Sequence, residues 1–458
     1  MTNIKYDNPE LDFAEVNFGD KRLDKRLCET VKSKAKSIQE SILSSTGSRH
    51  SAKAFYLLLS NEKHTNEKVS KAAYRATSRR ISESGVTRIL LPQDTTDINL
   101  NGHKKTENLG YCSEHIRGIK LHTGLALTTD GVPLGLLSQK YSTRENAKSE
   151  LSATEKMKRP IEEKESFRWL ETTREMLEYV PDEVEPIILC DREGDFYELY
   201  HEMMSVKSSF VVRLVRDRKT TNGEHSIQQL KRTKACGEAE IIIPRDTRSG
   251  KKKRTIKAEV AYCKVSVSRP QYTGSELPKS LVFNLVRVTE ITPECDEPIE
   301  WFLATSLPLD SAEDALEIVK FYVQRWKIER FHYVLKSGCQ AEKIQQRTYE
   351  RITAVLLIYS VIAVFILALT YLARTSPDLP CNVFFDDEEW QILYRLIHKT
   401  KTAPREPYPI KEAIAYLGEL GGFKRSPSDG VYGAKVIWKG VAKLYDAIDV
   451  HHRLIGQV

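Results

Sequence analysis

At 458 residues the chain is too long for a single ordinary hydrophobic core, so two to four domains are expected. Seventy Lys and Arg against 63 Asp and Glu leave a formal charge of +7, a mild bias that suits a polyanionic partner. The eight cysteines form no CxxC pair and stand by no zinc-spaced His cluster, and the N-terminus lacks a basic and then apolar leader. A secreted disulfide scaffold and a zinc module are thereby excluded, and a cytoplasmic protein with reduced thiols is expected.

Residues 1–75 predict a basic, all-helical domain. Asp20 can cap a helix with Leu23, Leu27 and Val31 inward and Lys21, Arg22, Lys25, Arg26, Lys32 and Lys34 outward. A second helix follows Ser48 or Ser51, with Ala52, Phe55, Tyr56 and Leu59 at core spacing, and a third runs from Thr65 through Val69, Ala72 and Tyr74. Compact basic helices of this kind suit DNA binding.

The hydrophobic period then changes. Arg88 to Asp94 reads as a short buried strand ending in an acid, and Leu121–Thr129 and Val132–Tyr141 as two strands joined by the hairpin signal Asp130-Gly131. A helix is expected over Glu163–Tyr179, and Pro186 to Asp191 is a second apolar strand ending in an acid. A helix over Phe196–Met204 and a strand over Phe210–Val215 follow. Three antiparallel strands followed by alternating helix and strand predict an α/β catalytic unit of ribonuclease-H-like order spanning 76–372. A β-rich insertion at about 216–300 interrupts it, with strands over Glu238–Ile243, Thr255–Val267 and Leu281–Thr289. The stretch from Arg245 to Arg254 reads either as a loop over a phosphate backbone or as a solvated loop.

The next region holds one helix with unusual chemistry. Ser311 and Asp314 form a capping box, and the helix they open places Tyr322, Arg325, Glu329 and Lys336 at turn spacings. A carboxylate flanked by an aromatic hydroxyl, a guanidinium and an ammonium suits a site that holds metal and grips phosphate, although mixed-charge solvated helices are common. Ile352–Leu372 is long and apolar enough to span a bilayer. Its Thr353, Tyr359, Ser360, Thr370 and Tyr371, and the lack of a second span, favour a core helix and no membrane. A Pro-containing linker then leads into a helical C-terminal domain, 373–458, with helices near Asp387–Lys399, Ile410–Leu420 and Gly433–Tyr445.

Asp94 and Asp191 at strand ends, with Glu329 on the later helix, can converge at one edge of the sheet. Three carboxylates are hard oxygen donors for Mg²⁺ or Mn²⁺, and two such ions can activate the attacking oxygen and stabilise the leaving one in phosphodiester chemistry. Asp97 rivals Asp94 and Asp195 rivals Asp191; the earlier member of each pair directly ends its strand. His332 reads as a supporting residue, because two-metal chemistry needs no histidine.

With these residues in place, the chain resembles the hairpin-forming, cut-and-paste bacterial transposases of the IS-four group, including the Tn-five type, in the DDE, retroviral-integrase-like superfamily. The signature Tyr-x2-Arg-x3-Glu-x6-Lys falls on Tyr322, Arg325, Glu329 and Lys336. The first acid stands in Asp94-Thr95-Thr96 and the second in Cys190-Asp191-Arg192-Glu193. Further similarity lies in Gly19–Leu23, in Glu163–Trp169, and in Leu420–Phe423 followed by Trp438.

The resemblance implies that Asp94, Asp191 and Glu329 ligate two Mg²⁺ ions, with Mn²⁺ as a substitute. Nicking by water, hairpin formation by the freed 3′-hydroxyl and joining to target DNA would follow. Tyr322, Arg325 and Lys336 would hold phosphates, and Trp301 and Trp326 would stack on or replace a flipped base. The N-terminal helices would read the inverted repeat at the transposon end, with Arg22, Arg26, Arg49 and Lys53 as contacts, though Tyr56-Leu57-Leu58 departs from the family's usual Tyr-Arg-Phe. The C-terminal helices would pair two subunits into a homodimeric synaptic complex that cuts in trans, associated with the bacterial nucleoid. An endonuclease that cuts without joining and a non-catalytic DNA-binding regulator are the other readings.

Overall fold

In the N-terminal region, polar side chains start each helix. The computed structural model describes residues 5–6, 8–146, 152, 155, 158–243, 254–291, 298–423 and 432–455. The basic run at 245–253 and Cys295 lie outside the described residues. Asp20 accepts the Arg22 N–H and opens Lys21–Lys36, while Ser48 accepts the Ser51 N–H and opens Arg49–Leu58. Thr65 opens a helix that runs to Ser84, ten residues beyond Tyr74, and stops where Gly85 takes φ +68°.

Lys34 corrects the expected outward stripe. Its side chain is fully buried, and its ammonium donates to the Ile38 carbonyl at 2.6 Å, donates to the Glu40 carbonyl, and stands 4.4 Å from the Tyr359 ring centroid. Burial lowers its pKa to about 8. Local charge patterning gives no sign of such a contact, because its partners include a ring more than 300 residues away.

One twisted sheet organises the centre. Strands β1 (Arg88–Asn99), β2 (Tyr111–Ser113), β3 (Ile116–Thr128) and β4 (Pro133–Ser142) are followed by β5 (Glu185–Cys190) and β6 (Ser209–Arg213). Then come β7 (Gly237–Ile243), β8 (Arg254–Ser268), β9 (Ser280–Glu290) and β10 (Glu300–Thr305). The order β4-β3-β1-β5-β6, with β1, β3 and β4 antiparallel and β5 and β6 parallel to β1, is the ribonuclease-H-like arrangement. The hairpin between β3 and β4 turns at Gly131, with φ +82°. The β-rich insertion extends the same sheet: β10 pairs antiparallel with β6, and β9, β8 and β7 add beyond it.

The catalytic region also differs from the sequence reading in several elements. β1 continues five residues past Asp94, because its antiparallel pairing with β3 runs on to Asn99 while its parallel pairing with β5 stops at Pro92 and Leu189. The helix over Phe167–Glu178 starts four residues later than expected, after a 3₁₀ turn at Ile161–Glu163. A helix at Ser226–Arg232, inside the insertion, gave too short a periodic signal to be expected.

The apolar helix Tyr349–Thr375 is a core element, with its whole apolar window buried. Its polar side chains are accommodated: Asn66 donates to Thr353 at 2.7 Å, Gln139 donates to Ser360 at 2.8 Å, and Thr370 donates to the Ile366 carbonyl at 2.8 Å. Full-length protein should therefore stay in the supernatant when a lysate is spun at high salt. Recovery in the washed membrane pellet would contradict this packing.

The C-terminal region comprises Asp387–His398, Ile410–Leu420 and Ala434–Leu454, the last nine residues longer than Tyr445 implied.

Candidate active site

Strand register brings the first two acids together. Pro92 on β1 pairs with Leu189 on β5, so Asp94 and Asp191 each lie two residues beyond the same parallel pair. Paired residues of adjacent parallel strands stand about 5 Å apart in backbone, and the two acids leave that pair at the same offset, near enough for Asp191 to act on Asp94. Asp191 follows the last residue of β5 and caps a 3₁₀ turn, its Oδ1 accepting the Glu193 N–H at 2.8 Å. Asp94 is mid-strand rather than at a strand end, but it is free of β5 and equally placed at that strand's carboxyl edge, where Thr95 N–H donates to its Oδ1 at 2.8 Å.

Glu329 arrives on a helical rod that is not uniform. Ala312–Gln324 is α-helical, with the Ser311–Asp314 capping box formed. At Arg325 the turn tightens: Arg325 N–H donates to Tyr322 O at 3.0 Å and Ile328 N–H to Arg325 O at 3.1 Å. Trp326–Tyr333 is α-helical again, and Val334–Gly338 widens into a π turn. The continuous helix expected from the spacing is corrected in both places. Gly338 in the widened turn packs against Trp438 of the C-terminal helix, where an added Cβ would lie 3.0 Å from its ring.

Arg325 links the acids. Its guanidinium donates to Glu329 at 2.7 Å and stands 3.7 Å from Asp94. Burial, opposed by Arg325 and reinforced by Asp191 and Glu329, pushes the Asp94 carboxyl up to about 7. For Arg325, burial acts downward, but Tyr322, Asp94, Glu329 and Asp191 outweigh it and the net shift is upward. Asp94 and Glu329 share this guanidinium, and Asp191 lies near enough to act on both Asp94 and Arg325.

Beside this cluster lies an aromatic and basic stack. Trp301 meets Tyr322 edge-on at 5.4 Å, Arg213 stands 5.8 Å from the Trp301 ring, and Arg325 stands 6.0 Å from the Tyr322 ring. Burial raises the Tyr322 pKa. The Trp326 indole N–H is buried without a partner among the described residues. Lys336, in the π turn, is 4.0 Å from Glu342.

Asp97 pairs with Lys120 at 2.7 Å. Asp195 is fully buried and bound to Arg218 at 2.7 Å. It also accepts from the Tyr200 hydroxyl and from the N–H groups of Val215 and Arg216. His332, on the rod itself, is buried. On the N-terminal helices Arg22 folds back on Asp20 at 3.0 Å, and Arg49 and Lys53 are exposed. Arg26 lines a cleft of about 410 Å³ with Lys32 and His50.

Arg213 and Arg168 were missed in the sequence. Arg213 follows an apolar strand run and reads as a strand-end residue. Arg168 lies in the Glu163–Trp169 stretch that carried similarity without an assigned role.

Comparisons with known proteins settle the family. Residues 9–64 match the transposase DNA-binding family, 161–366 the transposase DDE domain, and 361–452 the transposase Tn5 dimerisation domain. The chain is a Tn5-like transposase of the IS4 family. Among solved structures it is similar to the piggyBac transposase synaptic complex with hairpin DNA, determined by cryo-EM, at 10% identity and a TM-score of 0.40. That match covers 99% of this chain and 80% of the other.

The transposase binds DNA, forms a dimer and cuts DNA with a divalent metal. Its carboxylates fit such an ion in donor type and in their closeness to one another, since Asp191 and Glu329 both push the Asp94 carboxyl up. Among the described residues no three metal-ligating side chains converge on one point, and the Arg325 guanidinium stands between Asp94 and Glu329.

Proposed function

We propose that Asp94, Asp191 and Glu329 hold two Mg²⁺ ions, replaceable by Mn²⁺, and that the enzyme nicks the transposon end, forms a hairpin and joins the reopened end to target DNA. The observation that carries this reading is the shared register of Asp94 and Asp191, two residues beyond Pro92 and Leu189, with Glu329 linked to Asp94 through Arg325. The metal, when bound, supplies Lewis-acid activation of the attacking oxygen and charge stabilisation of the leaving one.

This chain's own groups do the rest. Arg325, freed from the carboxylates, can grip the scissile phosphate together with Tyr322 and Lys336. Trp301, held against Tyr322 and Arg213, offers a stacking face beside the cut, and the unpartnered indole N–H of Trp326 offers a donor to a base or phosphate. Residues 1–75 would bind the inverted repeat through Arg22, Arg26, Arg49 and Lys53, 76–372 would carry the chemistry, and 373–458 would pair subunits in a synaptic homodimer. The setting is the bacterial cytoplasm, with the protein on the nucleoid.

Incubation of the protein with Mg²⁺ and a duplex carrying its own transposon end tests the reading. Nicked, hairpin and joined products are expected on a denaturing gel. Cleavage alone would make it an endonuclease, and retention without cleavage a regulator. Trp301→Ala should lower hairpin yield by about tenfold, from the loss of one stacking contact, while nicking changes less than threefold. Equal loss of both steps would remove Trp301 from the hairpin step.

A further inference from the structure

Arg168 touches neither acid, yet its three guanidinium nitrogens reach the backbone segments that hold both. Nε donates to Thr95 Oγ1 at 3.1 Å, Nη2 to Glu193 Oε2 at 3.0 Å, and Nη1 to the Glu165 carbonyl at 2.6 Å. Thr95 and Glu193 are the residues whose N–H groups hold Asp94 Oδ1 and Asp191 Oδ1, each at 2.8 Å. One planar fork thus ties the β1 residue that orients the first carboxylate to the 3₁₀ turn that orients the second.

The tie is anchored from behind. Thr95 Oγ1 accepts from Arg168, so its own hydrogen faces His122 Nδ1, 2.7 Å away. His122 Nε2 then donates to Gln93 Oε1 at 3.0 Å, and Gln93 Nε2 donates to Thr173 Oγ1 at 3.0 Å. Every donor in this row has an acceptor, which requires a neutral His122. Burial favours that form. His122 and Gln93 have no solvent exposure, so the row is fixed by packing.

We propose that Arg168 is a positioning residue that sets the spacing and orientation of the Asp94 and Asp191 carboxylates and thereby their affinity for the divalent metal. The proposal rests on the reading of Asp94 and Asp191 as metal ligands. Glu193 is 58% exposed, so its bridge to Arg168 adds little to folding stability.

The test measures Mn²⁺ binding to the full chain without DNA, by the electron paramagnetic resonance signal of free Mn²⁺. End-duplex binding in chelator and thermal denaturation run alongside. Arg168→Ala should weaken Mn²⁺ binding by about tenfold, the usual scale for groups that orient metal ligands, with DNA binding unchanged. Arg168→Lys should recover part of the loss, because one ammonium cannot serve both Thr95 and Glu193. Glu193→Ala, which removes only the exposed end, should weaken binding by about threefold and guards against a folding defect in Arg168→Ala. Asp94→Ala supplies the reference. If it abolishes Mn²⁺ binding while Arg168→Ala and Glu193→Ala bind as tightly as the parent, the positioning role is overturned. If Asp94→Ala itself binds normally, the ligand reading fails instead.

Discussion

Glu329→Ala is expected to reduce cleavage of a transposon-end duplex by at least about a thousandfold while changing end binding by less than about twofold. The carboxylate is the third of the set, 2.7 Å from Arg325, and the end-binding helices are a separate part of the chain. Glu329 could matter only as an anchor for Arg325, and Glu329→Gln separates the two roles. Glutamine keeps the length and can still accept from the guanidinium, but it supplies no negative charge to a metal. A metal ligand predicts that Gln is nearly as inactive as Ala; an anchor predicts that Gln retains a large part of the activity. Single-turnover nicking rates at saturating Mg²⁺ decide, and turnover near the parent level in either variant removes Glu329 from the metal site.

The sheet and the acids were legible in the sequence to different depths. Strands β3 and β4 were readable because Asp130-Gly131 marks their turn locally. β1 was read as ending at Asp94 because its apolar run ends there, whereas pairing with β3 carries the strand five residues further. The extension of the sheet by the insertion depends on Arg213 facing Leu303, a pairing across ninety residues that no local period encodes. The tightened turn at Arg325 and the π turn at Val334–Gly338 are set by packing of the rod, including the Trp438 contact at Gly338, and a 3.6-residue spacing cannot reveal them. Arg168 was hidden for the same reason: its partners lie 73 and 25 residues away. A signal did exist in Gln93 and His122, polar side chains at positions that buried strands usually give to apolar ones.

The second large effect falls on the acid that competes with Asp191 in the sequence. Asp195→Ala should destabilise the catalytic sheet by about 3–5 kcal/mol, the cost of stranding a buried guanidinium without its counter-charge. Arg218 is 8% exposed and Asp195 not at all, and the carboxylate also holds Tyr200 and two backbone N–H groups. Two of the Arg218 nitrogens already lack hydrogen-bond partners among the described residues, and Nη2 would keep only the Asp195 carbonyl at 2.8 Å, which carries no counter-charge. Asp191→Ala should behave in the opposite way. Its side chain holds the Glu193 N–H and no other hydrogen bond among the described residues, so the urea midpoint should move little, while cleavage falls by at least about a thousandfold. Paired urea titrations and nicking assays on the two variants therefore assign one acid to folding and the other to chemistry. A stable but inactive Asp195→Ala beside an active Asp191→Ala would exchange the roles.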